Sequence, residues 1–208
     1  MLLDALLPIR CPLCSRPGPA PCPACASTVS QAVWAGKPGG LTSLHAAFAY
    51  EGRTRTVMAA LKYRGATAVV QWLADAMVTS MTDRLPDRLP GGGGHPPSWV
   101  TWAPTTAARR RERGFDQAEL LATAVASRLD LPVVRSLRRR GSSHQTGQSR
   151  SARLGARDLF DPVVGTPPAP VLLIDDVCTT GATLSAAAAV LLGAGAGVVH
   201  ALVAARTP

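Results

Sequence analysis

The chain reads as an α/β domain, a parallel sheet with helices on both faces, preceded by a small cysteine-rich segment. Three observations predict this. Short continuous apolar runs at 171–174 and 198–203 alternate with helix-length segments, as expected for strands buried on both faces. The 208 residues suffice for one full domain and a small appendage, and 47% hydrophobic with 17% charged residues suits a folded chain. Finally, four cysteines crowd into residues 11–25, ahead of the alternating pattern.

The cysteine segment comes first. CPLCSRPGPAPCPAC holds Cys11, Cys14, Cys22 and Cys25 as two CxxC pairs seven residues apart. Each CxxC turn aims two sulfurs the same way, so the spacing suits four thiolates around one tetrahedral Zn²⁺ of structural type, with no open position for a substrate. Two disulfides or a redox-active CxxC are the alternatives. The opening MLLDALLPIR carries Asp4 within its apolar run and does not make a signal peptide, so a cytoplasmic location is expected and disulfides fit poorly.

The remaining elements follow in order. Residues 44–50 read as a strand, and 51–65 as a helix on the spacing of Val57, Met58 and Leu61, stopped at Gly65. A second amphipathic helix is predicted over 68–81. PDRLPGGGGHPPS reads as a linker, which divides the chain into a cysteine segment (1–40), a helical hood segment (41–82), the linker (83–98) and a core (99–208). Within the core, 99–102 is a strand, 117–129 a helix, 132–134 a strand, 138–150 a long polar loop, 171–174 a strand, 184–192 a helix and 198–203 a strand. Residues 181–205 carry no charge and mimic a membrane span, but Gly193, Gly195, Gly197 and His200 make the stretch a helix, a turn and a strand.

Charge is concentrated. The formal net charge is +9, and between Arg109 and Arg157 twelve Arg face four acids (Glu112, Asp116, Glu119, Asp130). A basic band favours anionic partners such as polyphosphates or nucleic acid. Biased composition explains the excess of Arg over Lys but not its clustering.

The stretch most specific for chemistry is VLLIDDVCTTGAT, residues 171–183. In a parallel sheet, ligands bind beyond the carboxyl ends of the strands, where this run places its acids and its turn. Peptide N–H groups at the start of the following helix make an anion seat. Gly181 lets the backbone come close, and Thr179, Thr180 and Thr183 add hydroxyls beside Ala182. Asp175 and Asp176 just upstream suit the 2′ and 3′ hydroxyls of a ribose. These parts describe a phosphorylated pentose. A Walker B strand is the competing reading, but no GxxxxGK[ST] is present, the only lysines being Lys37 and Lys62. GAGAG at 193–197 follows a helix and precedes a strand, the reverse of a dinucleotide fingerprint. Simple capping by the acids and threonines is the structural alternative.

VLLIDDVCTTGAT resembles the phosphoribosyl pyrophosphate signature of type I phosphoribosyltransferases along the full motif. With the cysteine cluster, YEGRTRTVMAALKYRG, RERGFDQAELLA and the Gln-containing basic loop, the chain more specifically resembles the ComF (competence-associated) family, over nearly all its length except the glycine linker. The resemblance implies a type I phosphoribosyltransferase-like fold, with a five-stranded parallel core, a hood and a zinc knuckle, binding Mg²⁺ and phosphoribosyl pyrophosphate. By position, Asp175 and Asp176 would hold the ribose hydroxyls and the turn from Thr179 to Thr183 the 5′-phosphate. Pro104 and Thr105, with Arg109 and Arg113, would meet the pyrophosphate. The basic loop from Arg138 onward would close over the reacting centre, Arg138 acting with the two acids in catalysis. Asp116 stands where the family commonly has Asn.

The implied activity is transfer of phosphoribosyl to an unassigned acceptor with release of pyrophosphate. The alternative is a competence or DNA-uptake accessory that binds single-stranded DNA, with other competence proteins as partners and little or no catalysis. Lys62, Arg64 and Gln145 are candidate contacts to substrate or nucleic acid, and His144 is a further loop candidate. Stacking aromatics are few, with Phe115 and Phe160 near the basic band.

Overall fold

A computed structural model describes residues 8–32, 36–82, 95–140 and 159–208. Its centre is a four-stranded, all-parallel sheet made of β1 (Ser43–Ala49), β2 (Trp99–Trp102), β5 (Val171–Cys178) and β6 (Val199–Arg206), in the order β1-β6-β5-β2. A short antiparallel pair, β3 (Leu137–Arg139) and β4 (Phe160–Pro162), lies apart from it.

The alternation along β5 builds the two faces. Leu172 and Ile174 point into one apolar layer, with Val57, Met58 and Leu61 of α2 (Gly52–Arg64), Leu73 and Met77 of α3 (Val69–Thr82), and Leu121 and Val125 of α5 (Gln117–Leu129). Val171 and Leu173 point into the other, with Leu184, Ala187 and Leu191 of α6 (Ala182–Gly193) and with Leu137 and Phe160 of the small β pair. Period-2 strands buried on both faces give the continuous apolar runs seen in the sequence. The remaining helices are α1 (Pro23–Ala26) in the cysteine segment and α4 (Ala107–Arg113) after β2.

Most elements lie within a residue or two of their sequence assignments, and three differences matter. First, the expected strand at 132–134 is one parallel bridge, Val100 to Val133, beside β2. Pro132 offers a carbonyl to the Val100 N–H (2.8 Å) but has no N–H of its own, so the fifth strand shrinks to this contact. Second, the segment 41–82, expected as a hood, supplies the edge strand β1 of the central sheet and two helices on one face. Residues 43–49 alternate too weakly to announce a core strand. Third, α4, β3 and β4 were not expected. The charge-free stretch 181–205, expected as a helix, a turn and a strand, is α6 leading into β6, and no helix among the described residues is long and apolar enough to cross a membrane. Of the glycine linker, 83–94 lies outside the described residues.

Candidate functional site

The strands β2 and β5 are neighbours whose chains leave to opposite faces, β2 toward α5 and β5 toward α6. The crevice at their carboxyl ends is the position where open α/β sheets bind ligands. There a cavity of about 310 Å³ opens, lined by residues from five separate segments.

One wall is acidic. Asp175 is 9% exposed, and its Oδ1 accepts the Asp176 N–H at 2.8 Å. Burial first, and then the neighbouring Asp176 charge, push its carboxyl well above the usual carboxylate range; the Asp176 amide and Lys62 oppose the shift. Lys62, carried over by α2, places Nζ 2.7 Å from Asp176 Oδ2.

Much of the remaining lining is basic. Arg109 and Arg113 come from α4 and Arg139 from β3. Arg139 lies over the Phe160 ring at 4.9 Å, and burial lowers its pKa, with the charge of Asp175 acting against that. Pro104 and Thr105 form the turn after β2, and Asp116 fixes it. Asp116 Oδ2 accepts the Thr105 N–H at 2.8 Å while Oδ1 caps α5 through Ala118 N–H at 3.1 Å. An Asp here makes both bonds from one buried carboxyl, although burial raises its pKa.

Beyond Asp176 the chain turns through Thr179 to Thr183 into α6, enclosing a niche of about 20 Å³. Thr179, Thr180 and Ala182 are exposed, so the bend is open to a ligand. Gly181 is the buried exception, with φ +78° and Pro38 stacked against it. A Cβ there would lie 2.3 Å from Pro38 Cγ, so both conformation and contact demand glycine. The first-turn N–H groups of α6 have no intrahelical acceptors and face this bend.

The cavity thus gathers Asp175, Asp176, Thr179, Thr183, Pro104, Thr105, Arg109, Arg113 and Lys62. Thr180, Gly181 and Ala182 line the adjoining niche. Two predicted residues lie elsewhere. Arg138 is 68% exposed, pairs with Asp161 (3.6 Å) and does not line the cavity; its neighbour Arg139 does, because consecutive strand residues point to opposite sides. Arg64 turns to the cysteine segment, its Nη2 3.5 Å from Pro12 O. Gln145 and His144 lie outside the described residues. The sequence reading missed Arg139, Gln117, Tyr50 and Tyr63, all of which line the cavity. Only a strand assignment over 137–139 could have signalled Arg139.

In the N-terminal segment the four thiols gather with all sulfurs within 4.8 Å of one another, and Cys14 and Cys22 Sγ lie 3.7 Å apart. A tetrahedron with Zn–S bonds of about 2.3 Å has edges of about 3.8 Å, so the four cysteines can hold a zinc ion. Burial raises the Cys11 thiol but is outweighed by peptide N–H donors, leaving it at about 6. Cys25 is pushed up to about 12 by burial and by its neighbouring thiols. A dication relieves that conflict by allowing every sulfur to be a thiolate.

Comparison with known proteins agrees with this arrangement. A family model described as "Phosphoribosyl transferase domain" matches residues 116–208. The chain is 29% identical over 191 residues to "Competence protein ComFC" of Bacillus subtilis (strain 168), covering 89% of this chain and 72% of that protein. Among solved structures, the allosteric regulatory enzyme of purine biosynthesis aligns at 19% identity with a TM-score of 0.44, over 67% of this chain and 26% of the other. This chain therefore spans about a quarter of that enzyme's length. An adenine phosphoribosyltransferase aligns at 15% identity with a TM-score of 0.43, over 72% and 75%. The parallel sheet, the threonine bend at its carboxyl edge and the leading cysteine cluster thus accompany a phosphoribosyl transferase domain match over residues 116–208 and a 29% likeness to a competence protein.

Proposed function

We propose that the protein binds Mg²⁺–phosphoribosyl pyrophosphate in this cavity and transfers the phosphoribosyl group, releasing pyrophosphate. The observation that carries the reading is the cavity's lining: Asp175 and Asp176, three arginines and the adjoining exposed threonine bend gathered around one space. The volume of about 310 Å³ lies within the range of small-molecule sites.

The assignment of parts follows charge. The ribose 5-phosphate rests on the bend between Thr179 and Thr183, where N–H groups and hydroxyls donate to it. Its diol donates to Asp175 and Asp176, and Lys62 holds Asp176 in place. The pyrophosphate meets the Pro104–Thr105 turn, Arg109, Arg113 and Arg139. Asp175 and Asp176 also suit Mg²⁺, which takes one or two carboxylates together with substrate oxygens. When bound, that ion neutralises charge on the leaving group. The bond from C1′ to the pyrophosphate oxygen breaks with its electron pair going to pyrophosphate. The arginines stabilise that anion, and the acceptor's lone pair then bonds to C1′ while its proton is released. Each fixed donor is worth about 3 kcal/mol in such a transition state. The cysteine segment holds a structural Zn²⁺ that supports α2, since Arg53 Nη1 lies 3.9 Å from Cys25 Sγ. A reducing, cytoplasmic setting suits such thiolate ligands.

The test is calorimetry with Mg²⁺–phosphoribosyl pyrophosphate, then a pyrophosphate-release assay across nucleobases and amines. Binding by the wild type and its loss in the Asp175→Asn, Asp176→Asn double variant are expected. Equal affinity in both would defeat the assignment.

One observation favours a second reading, a single-stranded DNA-binding role alongside competence proteins. Tyr63 at the cavity mouth is 70% exposed, with the Arg113 guanidinium 5.0 Å from its ring centroid. An exposed ring beside cations is a stacking platform for bases. Under this reading, DNA affinity falls steeply with salt and drops further in Tyr63→Ala. Competition with phosphoribosyl pyrophosphate would identify one shared site.

A further inference from the structure

We infer that Gln117, together with the Nε edge of Arg113, forms a donor pair for the leaving pyrophosphate. The inference rests on the phosphoribosyl pyrophosphate reading and adds a residue to it. Gln117 lines the cavity and is 2% exposed, yet its Nε2 has no hydrogen-bond partner among the described residues. Arg113 Nε in the same cavity is buried and likewise unpartnered. A buried N–H without an acceptor is costly, and a ligand held in this cavity can supply the acceptors.

The placement selects the ligand's end. Gln117 is the first residue of α5, directly after Asp116, whose carboxylate ties the start of that helix to the Thr105 amide. This bracing sets Gln117 next to the Pro104–Thr105 turn, among the residues that line the cavity with the arginines. Acceptors arriving there are the oxygens of the pyrophosphate. With Arg109, Arg113 and Arg139 already present, a neutral amide adds direction without adding charge that would retain the product.

The experiment compares three ligands by calorimetry: Mg²⁺–phosphoribosyl pyrophosphate, Mg²⁺–pyrophosphate and ribose 5-phosphate. Gln117→Leu keeps the bulk and removes the donors, and should weaken the first two about tenfold while leaving ribose 5-phosphate within about twofold. Gln117→Glu keeps the shape but sets a carboxylate against the polyanion, and should weaken the first two further. Unchanged pyrophosphate binding in Gln117→Leu, or equal weakening of all three ligands, overturns the inference while leaving the parent reading intact. Failure of the wild type to bind any of the three removes both.

Discussion

Lys62 on α2 and Asp176 on β5, 114 positions apart in sequence, meet at 2.7 Å with both side chains largely shielded (18% and 15% exposed). The contact locks the segment before the linker onto the signature strand of the core. It sets a cation directly against one of two adjacent carboxylates. Replacing Lys62 by Met should cost about 1–3 kcal/mol, between the values for exposed and fully buried pairs. Mg²⁺–phosphoribosyl pyrophosphate should bind about tenfold more weakly. Thermal melting and calorimetry read both effects, and Lys62→Arg should recover most of the stability. Unchanged affinity in Lys62→Met would separate the ion pair from ligand binding.

Asp175 trades stability for function. Its carboxyl pKa is raised in the folded state, chiefly by burial and then by Asp176. A carboxyl raised on folding stabilises below its unfolded pKa and loses that contribution as pH climbs through the folded value. Asp175→Asn should therefore melt higher than wild type at pH 8. The gain should fade as pH falls below about 3, where both states of the wild type carry a mostly neutral acid. The same variant should lose phosphoribosyl pyrophosphate binding. A lower melting temperature at pH 8 would contradict the account.

Arg138 and Arg139 differ in the side of β3 they occupy. Arg139→Met should weaken pyrophosphate binding about tenfold, the worth of a charged hydrogen bond. Arg138→Met removes only a solvent-facing contact to Asp161 and should leave binding within about twofold. Titrating Mg²⁺–pyrophosphate into each variant gives the comparison; the reverse ranking would move the basic lining to the other face.

The cysteine cluster should carry one zinc per chain by elemental analysis. Cys14→Ser and Cys22→Ser should lower that stoichiometry and the melting temperature. Because Arg53 and Arg64 join the cluster to α2, zinc loss should also weaken ligand binding through Lys62. Full zinc content in either variant would mean that fewer than four sulfurs are needed.

Much of the site was legible in the chain because its parts are contiguous. Asp175, Asp176 and the threonine bend form one uninterrupted strand–turn–helix, so local geometry alone sets their neighbours. The two CxxC pairs likewise needed only a short loop to converge. By contrast, Arg139 was unreadable because β3 is three residues long and takes its direction from its partner β4. Gln117 looked like an ordinary first residue of a helix until the brace from Asp116 to Thr105 set it against the cavity.

By itself the amino-acid order determined the α/β class, the sulfur cluster and the threonine bend that follows the two acids, because each depends on periodicity or on residues within about fifteen positions of one another. Only the tertiary structure decided that residues 43–49 form a core edge strand, which arginine of an adjacent pair faces the cavity, and that a lysine from α2 completes the acidic wall. Those outcomes depend on sheet register and on how helices settle over the two apolar layers. Such choices are made by packing between distant segments, which no local pattern encodes.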